Sequence, residues 1–148
     1  MRTIFENKKI LFNYKILDKF KAGIALNGQE VKSIKSGRAN FSNSFVVIKK
    51  TEAFLIGANI PAWQPKNIME NYNQERPRKL LFKKNEIKKL FGKLKEKGLT
   101  MVPLKVYTNP RELIKIEVAI VKPKRKIDKR EKIKKREIER EIKRRLKS

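Results

Sequence analysis

The chain has 148 residues, room for one domain plus an appendage. Lys and Arg number 40 against 15 Asp and Glu, a formal charge of +25, and there is neither cysteine nor histidine. That excludes disulfides, thiol nucleophiles, Cys-based zinc sites and Ser-His-Asp catalysis, and it points to a polyanionic partner, RNA or DNA before an anionic membrane or an acidic protein.

Residues 1–13 hold no long apolar stretch of the signal-peptide kind, and no apolar run approaches the ~20 residues of a membrane span. A cytoplasmic protein is expected. Residues 12–26 alternate, with Phe12, Tyr14, Ile16, Phe20, Ala22, Ile24 and Leu26 on one parity and only Asp18 breaking the row. That period of two predicts a half-buried strand or a strand pair, closed by an Asn27-Gly28 turn. Residues 29–35 read as a short helix with Val31 and Ile34 on its buried stripe, ended by Ser36-Gly37. Residues 46–48 and 53–60 read as strands around a polar turn, and residues 61–73 as a loop.

Residues 83–97 give the clearest helix, with Ile87, Leu90, Phe91 and Leu94 on one face, Asn85 as a candidate cap and Gly98 as a candidate C′ glycine. Residues 99–107 and 113–121 predict a hairpin about Asn109-Pro110-Arg111. After Val121 the composition changes: residues 122–148 hold 15 Lys and Arg against five acids, a net +10, leaving +15 for residues 1–121. Ile138, Ile142 and Leu146 are spaced by four, a narrow stripe suited to a helix formed on a partner. The expected organisation is a mainly β (α+β) body over 1–121, best matched by a small OB-like barrel with flanking helices, and a basic tail over 122–148, disordered or helical depending on partner.

Three basic groups carry the candidate chemistry. Lys32, Lys35, Arg38 and Asn40 can reach phosphates or bases, and Glu30 can accept from a base amino group. A solvated helix face accounts for the same residues. In Arg76-Pro77-Arg78-Lys79-Leu80-Leu81 three cations follow closely on a stiffened backbone, suited to gripping phosphates or equally to a solvated loop. Tyr72 beside it can stack on a base or pack in its loop. The third group is the tail from Lys122 to Glu131, read as a segment that folds on RNA or as a nonspecific charged run. The phosphate-cradling motifs GxxxxGK[ST] and GxGxxG are absent, as are RRM-type aromatics and a KH-type loop. No carboxylate pair sits isolated in an apolar setting, so the chain reads as a binder and not an enzyme, with no catalytic residue, metal or cofactor expected.

Ala22-Gly23-Ile24 to Leu26 is followed by Gly28-Gln29-Glu30-Val31-Lys32-Ser33-Ile34, then Gly37, Ala39-Asn40 and Ser44-Phe45. Next come Arg76-Pro77-Arg78-Lys79-Leu80-Leu81, Glu86-Ile87, Lys97-Gly98-Leu99-Thr100 and Val102-Pro103-Leu104-Lys105, and finally Asp128-Lys129-Arg130-Glu131 with Ile133-Lys134. Together and in this order, these motifs resemble the SsrA-binding protein (SmpB) family over nearly the whole chain. The resemblance implies an OB-like barrel that binds the tRNA-like domain of transfer-messenger RNA (tmRNA) and delivers it to ribosomes stalled on broken messages. It implies a tail that becomes helical in the vacant message channel and probes the small-subunit decoding centre. Elongation factor Tu and alanyl-tRNA synthetase become indirect partners through the same RNA, and the protein itself a monomer.

Carried over by residue, Glu30, Lys32, Ser33, Arg38 and Asn40 are expected near the tmRNA, with Arg76, Arg78 and Lys79 as a second surface. Lys124, Arg125, Ile127, Asp128, Lys129 and Arg130 are expected at the decoding centre and channel. The chain departs from the family pattern at Pro123, where a glycine is common, at Ile127, where many members place a histidine, and at Tyr72, which also replaces a histidine. Composition by itself fits a second reading equally, a small ribosomal protein or assembly factor bound to rRNA.

Overall fold

A computed structural model describes residues 1–63, 72–124, 136–138 and 140–144. In chain order the elements are β1 (Arg2–Glu6), α1 (Lys8–Asn13), β2 (Tyr14–Ile24), α2 (Gly28–Lys35), β3 (Phe45–Lys49), β4 (Glu52–Ile56), β5 (Arg78–Leu81), α3 (Lys84–Leu94), β6 (Thr100–Thr108) and β7 (Ile114–Pro123). The alternating run is one eleven-residue strand, β2, with Lys15, Leu17, Lys19 and Lys21 outward and Tyr14, Ile16, Phe20 and Ala22 inward. A register shift between Ile16 and Asp18 lets the strand bend without losing its facing. Asp18, the polar break in the inward row, accepts from Lys93 Nζ of α3 at 2.6 Å.

All strand pairs are antiparallel. Strands β6, β3, β4, β5, β2 and β7 are neighbours in that order, and β6 pairs with β7 as well, so six strands close into a ring. Strand β1 lies outside it, paired with the second half of β6. This is the mainly β, OB-like architecture with flanking helices. The ring encloses Ile34, Phe41, Leu55, Ile60, Leu80, Leu90, Met101, Ile116, Val118 and Ile120. A smaller cluster of Val102, Leu104, Ala119 and Val121 packs under Ile10 of α1.

Several elements differ from the sequence expectation. Strand β4 stops at Ile56, short of residue 60, because Gly57 turns to φ +83. A Cβ there would stand 3.1 Å from the Asn43 carbonyl oxygen, so only glycine fits without a shift. Residues 78–81, for which a solvated loop was one of two readings, form a strand bridging β4 and β2. The cap of α3 is Lys83, whose N–H donates to Glu86 Oε1 at 3.0 Å; Asn85 is the second residue of the helix, and its Oδ1 accepts from the Glu86 N–H. The helix ends at Leu94, and Gly98 (φ +85) belongs to the following turn. Strand β7 runs past residue 121, with Lys122 opposite Lys15 and Pro123 opposite Tyr14. Neither β1 nor α1 was anticipated. Helix α1 is held by Asn7, whose Oδ1 accepts from the Ile10 N–H while its Nδ2 donates to the Pro103 carbonyl.

Candidate nucleic-acid interface

The face formed by α2, the turn after it and β5 is organised around one buried carboxylate. Asn27 Oδ1 accepts from the Glu30 N–H at 2.9 Å and Glu30 Oε1 accepts from the Asn27 N–H at 3.0 Å, a reciprocal cap that turns the Glu30 side chain inward. Alternation along β5 points Arg78 and Leu80 in and Lys79 and Leu81 out. Arg78 Nε then meets Glu30 Oε2 at 2.7 Å, while its two terminal nitrogens donate to the Ala58 and Gln74 carbonyls at 2.7 and 2.8 Å. Each of the three guanidinium nitrogens thus has an acceptor, which offsets its desolvation.

The other oxygen of Glu30 holds Arg76 Nη2 at 2.5 Å. Arg76 is 42% exposed, so one buried carboxylate anchors one arginine inside the body and another at its surface. Burial pushes the Glu30 carboxyl up, but the Asn27 N–H, the Arg76 and Arg78 bonds and the charge of Arg78 outweigh it and hold it below its ordinary value. Burial raises the Tyr72 phenol, and the Glu30 charge adds to the rise. The Tyr72 hydroxyl donates to the Ile60 carbonyl at 2.7 Å, so this ring is packed into its own loop.

Around this anchor lie the other expected residues. Lys32 and Arg38 are exposed, and Lys79 is half exposed beside Glu52 at 3.6 Å. Lys35 stands 3.8 Å from Glu112. Asn40 exchanges both backbone hydrogen bonds with Asn59, at 2.8 and 2.9 Å, fastening the turn after α2 to the strand end beyond Gly57. Three residues expected against RNA are instead buried. Glu30 and Arg78 neutralise each other inside, and Ser33 lies on the inner face of α2, its Oγ without a hydrogen-bond partner among the described residues. Their side chains cannot touch a surface ligand in this conformation; Glu30 and Arg78 act by holding Arg76 and the strand ends. Trp63 was missed by sequence reasoning, although it is the only tryptophan in the chain: Arg38 lies over its ring, 4.9 Å from the centroid.

At the end of β7, Lys124 is tied to α1, its N–H donating to the Asn13 carbonyl at 3.1 Å and its Nζ to the Leu11 carbonyl at 3.4 Å. Arg125, Ile127, Asp128, Lys129 and Arg130 lie outside the described residues. Residues 136–138 and 140–144 are helical, with Ile138 and Ile142 exposed and Arg136 over the Phe12 ring at 5.4 Å. Among the described residues there is no group of three acids that could hold a metal, and no helix is long and apolar enough to cross a membrane.

The family model described as "SmpB protein" matches residues 4–148. The chain belongs to the SmpB family. It is 51% identical to the SsrA-binding protein of Thermosipho africanus, over 96% of this chain and 95% of that one. It is 50% identical to the Thermosipho melanesiensis protein over 99% of both, and 46% identical to that of Wolinella succinogenes over 99% and 97%. Its fold is similar to a solved chain described as "tmRNA-SmpB: a journey to the center of the bacterial ribosome". The TM-score is 0.69 and the identity 37%, over 90% of this chain and 95% of that one.

Proposed function

We propose that this SmpB-family chain binds tmRNA through its body and brings it to stalled ribosomes, with the basic tail probing the empty message channel and decoding centre. The similarity that carries this reading is the one to the chain of the tmRNA-SmpB ribosome structure, because it covers 90% of this chain and 95% of that one. The geometry supports it with a group of cations beside the closed sheet: Lys32 and Lys35 on α2, Arg38 in the turn after it, Arg76 just before β5 and Lys79 on that strand. Neutralising phosphates with such a face releases counterions, which drives association without any bond being made or broken in the RNA. The protein acts as an adaptor and not as an enzyme. It works in the cytoplasm, meeting small-subunit rRNA directly and elongation factor Tu and alanyl-tRNA synthetase only through the shared RNA.

The test is to purify the protein from its own cells with bound RNA and sequence that RNA. One dominant species with a tRNA-like end and a short internal reading frame is the expected result. Ribosomal RNA alone would overturn the proposal in favour of a ribosomal or assembly protein.

A further inference from the structure

Arg38 follows Gly37, and its backbone N–H is bonded to the Ser33 carbonyl at 3.2 Å, which fixes where its side chain starts. Two contacts then fix where that side chain ends. Nη1 donates to the Trp63 carbonyl at 3.2 Å, and the guanidinium carbon stands 4.9 Å from the indole centroid, inside the ~6 Å range of a cation–π contact. A free arginine samples many rotamers; this one is clamped between a helix end and an aromatic ring. Arg38 is nevertheless exposed, and Trp63 is partly so.

We propose that Arg38 and Trp63 form a stacking platform for one unpaired base of the bound RNA, with Trp63 as the residue that positions Arg38. The inference rests on the RNA-binding reading above. A phosphate contact needs only charge at the end of a flexible stem, which lysine supplies. An indole under the guanidinium adds nothing to that role. It does add to base recognition, because the delocalised guanidinium is weakly hydrated, and planar π faces and guanidinium planes are what splayed-out bases stack on. Lys32 and Lys35 lie on the preceding helix, Lys32 exposed and Lys35 3.8 Å from Glu112.

The experiment uses the full chain and an in vitro transcript of the tRNA-like domain of tmRNA, with binding measured across a salt series. Trp63 is the sole tryptophan, so its emission reports this corner directly. The expected result is a saturable change in Trp63 emission on adding RNA. Arg38→Lys, which keeps the charge, weakens binding about tenfold and leaves the slope of log K against log salt unchanged. Trp63→Phe weakens binding less than Trp63→Ala, and Arg38→Lys combined with Trp63→Ala is no worse than Trp63→Ala alone, since the two act as one unit. If Arg38→Lys binds like the native chain while Arg38→Ala lowers the salt slope by about one, Arg38 is a phosphate contact and the platform is refuted. Arg76→Ala separates the two levels. Weakened binding there beside a neutral Arg38→Lys sinks the platform alone, and no loss at either position sinks the RNA face with it.

Discussion

Arg78 and Glu30 are both withdrawn completely from solvent and are joined Nε to Oε2 at 2.7 Å, 48 positions apart in sequence. Removing Glu30 strands Arg78 as an unpaired charge inside the body, and removing Arg78 leaves the buried Glu30 carboxylate with only the half-exposed Arg76 to balance it. Arg78→Met should therefore cost about 3–5 kcal/mol of stability, read as a lowered urea midpoint. A loss under about 1 kcal/mol would mean that water reaches Glu30 once the arginine is gone.

The same carboxylate gives an acid limb to the stability curve. Glu30 is held below its ordinary value of 4.5, and Asp18, chiefly through its bond from Lys93, below 3.8. For a group whose folded pKa is depressed, the stabilisation is complete above the unfolded pKa and is lost as pH falls through the folded one. The urea midpoint should hold steady from neutrality to about pH 4.5 and fall below it. Glu30→Gln should begin lower and fall less steeply in acid; an unchanged acid slope would place the effect elsewhere.

Arg76 separates binding from folding. Its guanidinium is 42% exposed and Glu30 keeps Arg78 and the Asn27 N–H without it. Arg76→Ala should lower the urea midpoint less than Arg78→Met and weaken binding to the tRNA-like domain, reducing the salt slope by about one. Equal destabilisation by the two variants would contradict the division between surface and interior arginine.

The tail can be removed cleanly only after Lys124. A cut at residue 121 would strip Lys122 and Pro123 from the ladder with β2 and break the ties of Lys124 to Asn13 and Leu11. A chain ending at Lys124 should fold with a near-native urea midpoint, bind the tRNA-like domain and fail to tag peptides on stalled ribosomes. Tagging that survives this cut removes the tail from the mechanism.

Gly57 offers a backbone test. It sits at φ +83, with the Asn43 carbonyl oxygen where a Cβ would press. Gly57→Ala should cost about 1–2 kcal/mol, measurable as a drop in Tm, because a left-handed conformation is strained for any residue with a side chain. No drop would show that the turn relaxes to another conformation at little cost.

What could be read from the sequence was local. The alternation of β2 and the apolar stripe of α3 each reveal themselves within about a dozen residues, and the β6–β7 hairpin joins strands that follow one another directly in sequence. Strand β1 and helix α1 did not, because their partners are remote: Asn7 is fastened to Pro103, 96 positions away. Strand β5 was obscured by its first residue, since an inward arginine looks like a surface one until Glu30 is placed beside it. The same distance hid Trp63, whose meaning depends on Arg38, 25 positions earlier. Of the residues expected against RNA, Lys32, Arg38 and Asn40 are exposed, as is much of Arg76 and Lys79. Glu30, Ser33 and Arg78 are buried, which the sequence did not reveal, because residue type reports charge and polarity but not which way a helix or strand turns them.

Closure of the ring also decides what the molecule offers to copies of itself. Each ring strand has neighbours on both sides, so among the described strands β1 alone has a single partner. It is five residues long, with Arg2 and Glu6 at its ends and Glu6 opposite Lys105. A short, charged outer strand is a poor template for edge-to-edge aggregation. Without it, the 105–108 stretch of β6 would stand open beside buried Val106 as a row of unpaired backbone donors and acceptors. The first six residues thus serve as a cover that keeps a sticky margin of the sheet out of reach, at the end of the chain opposite the tail.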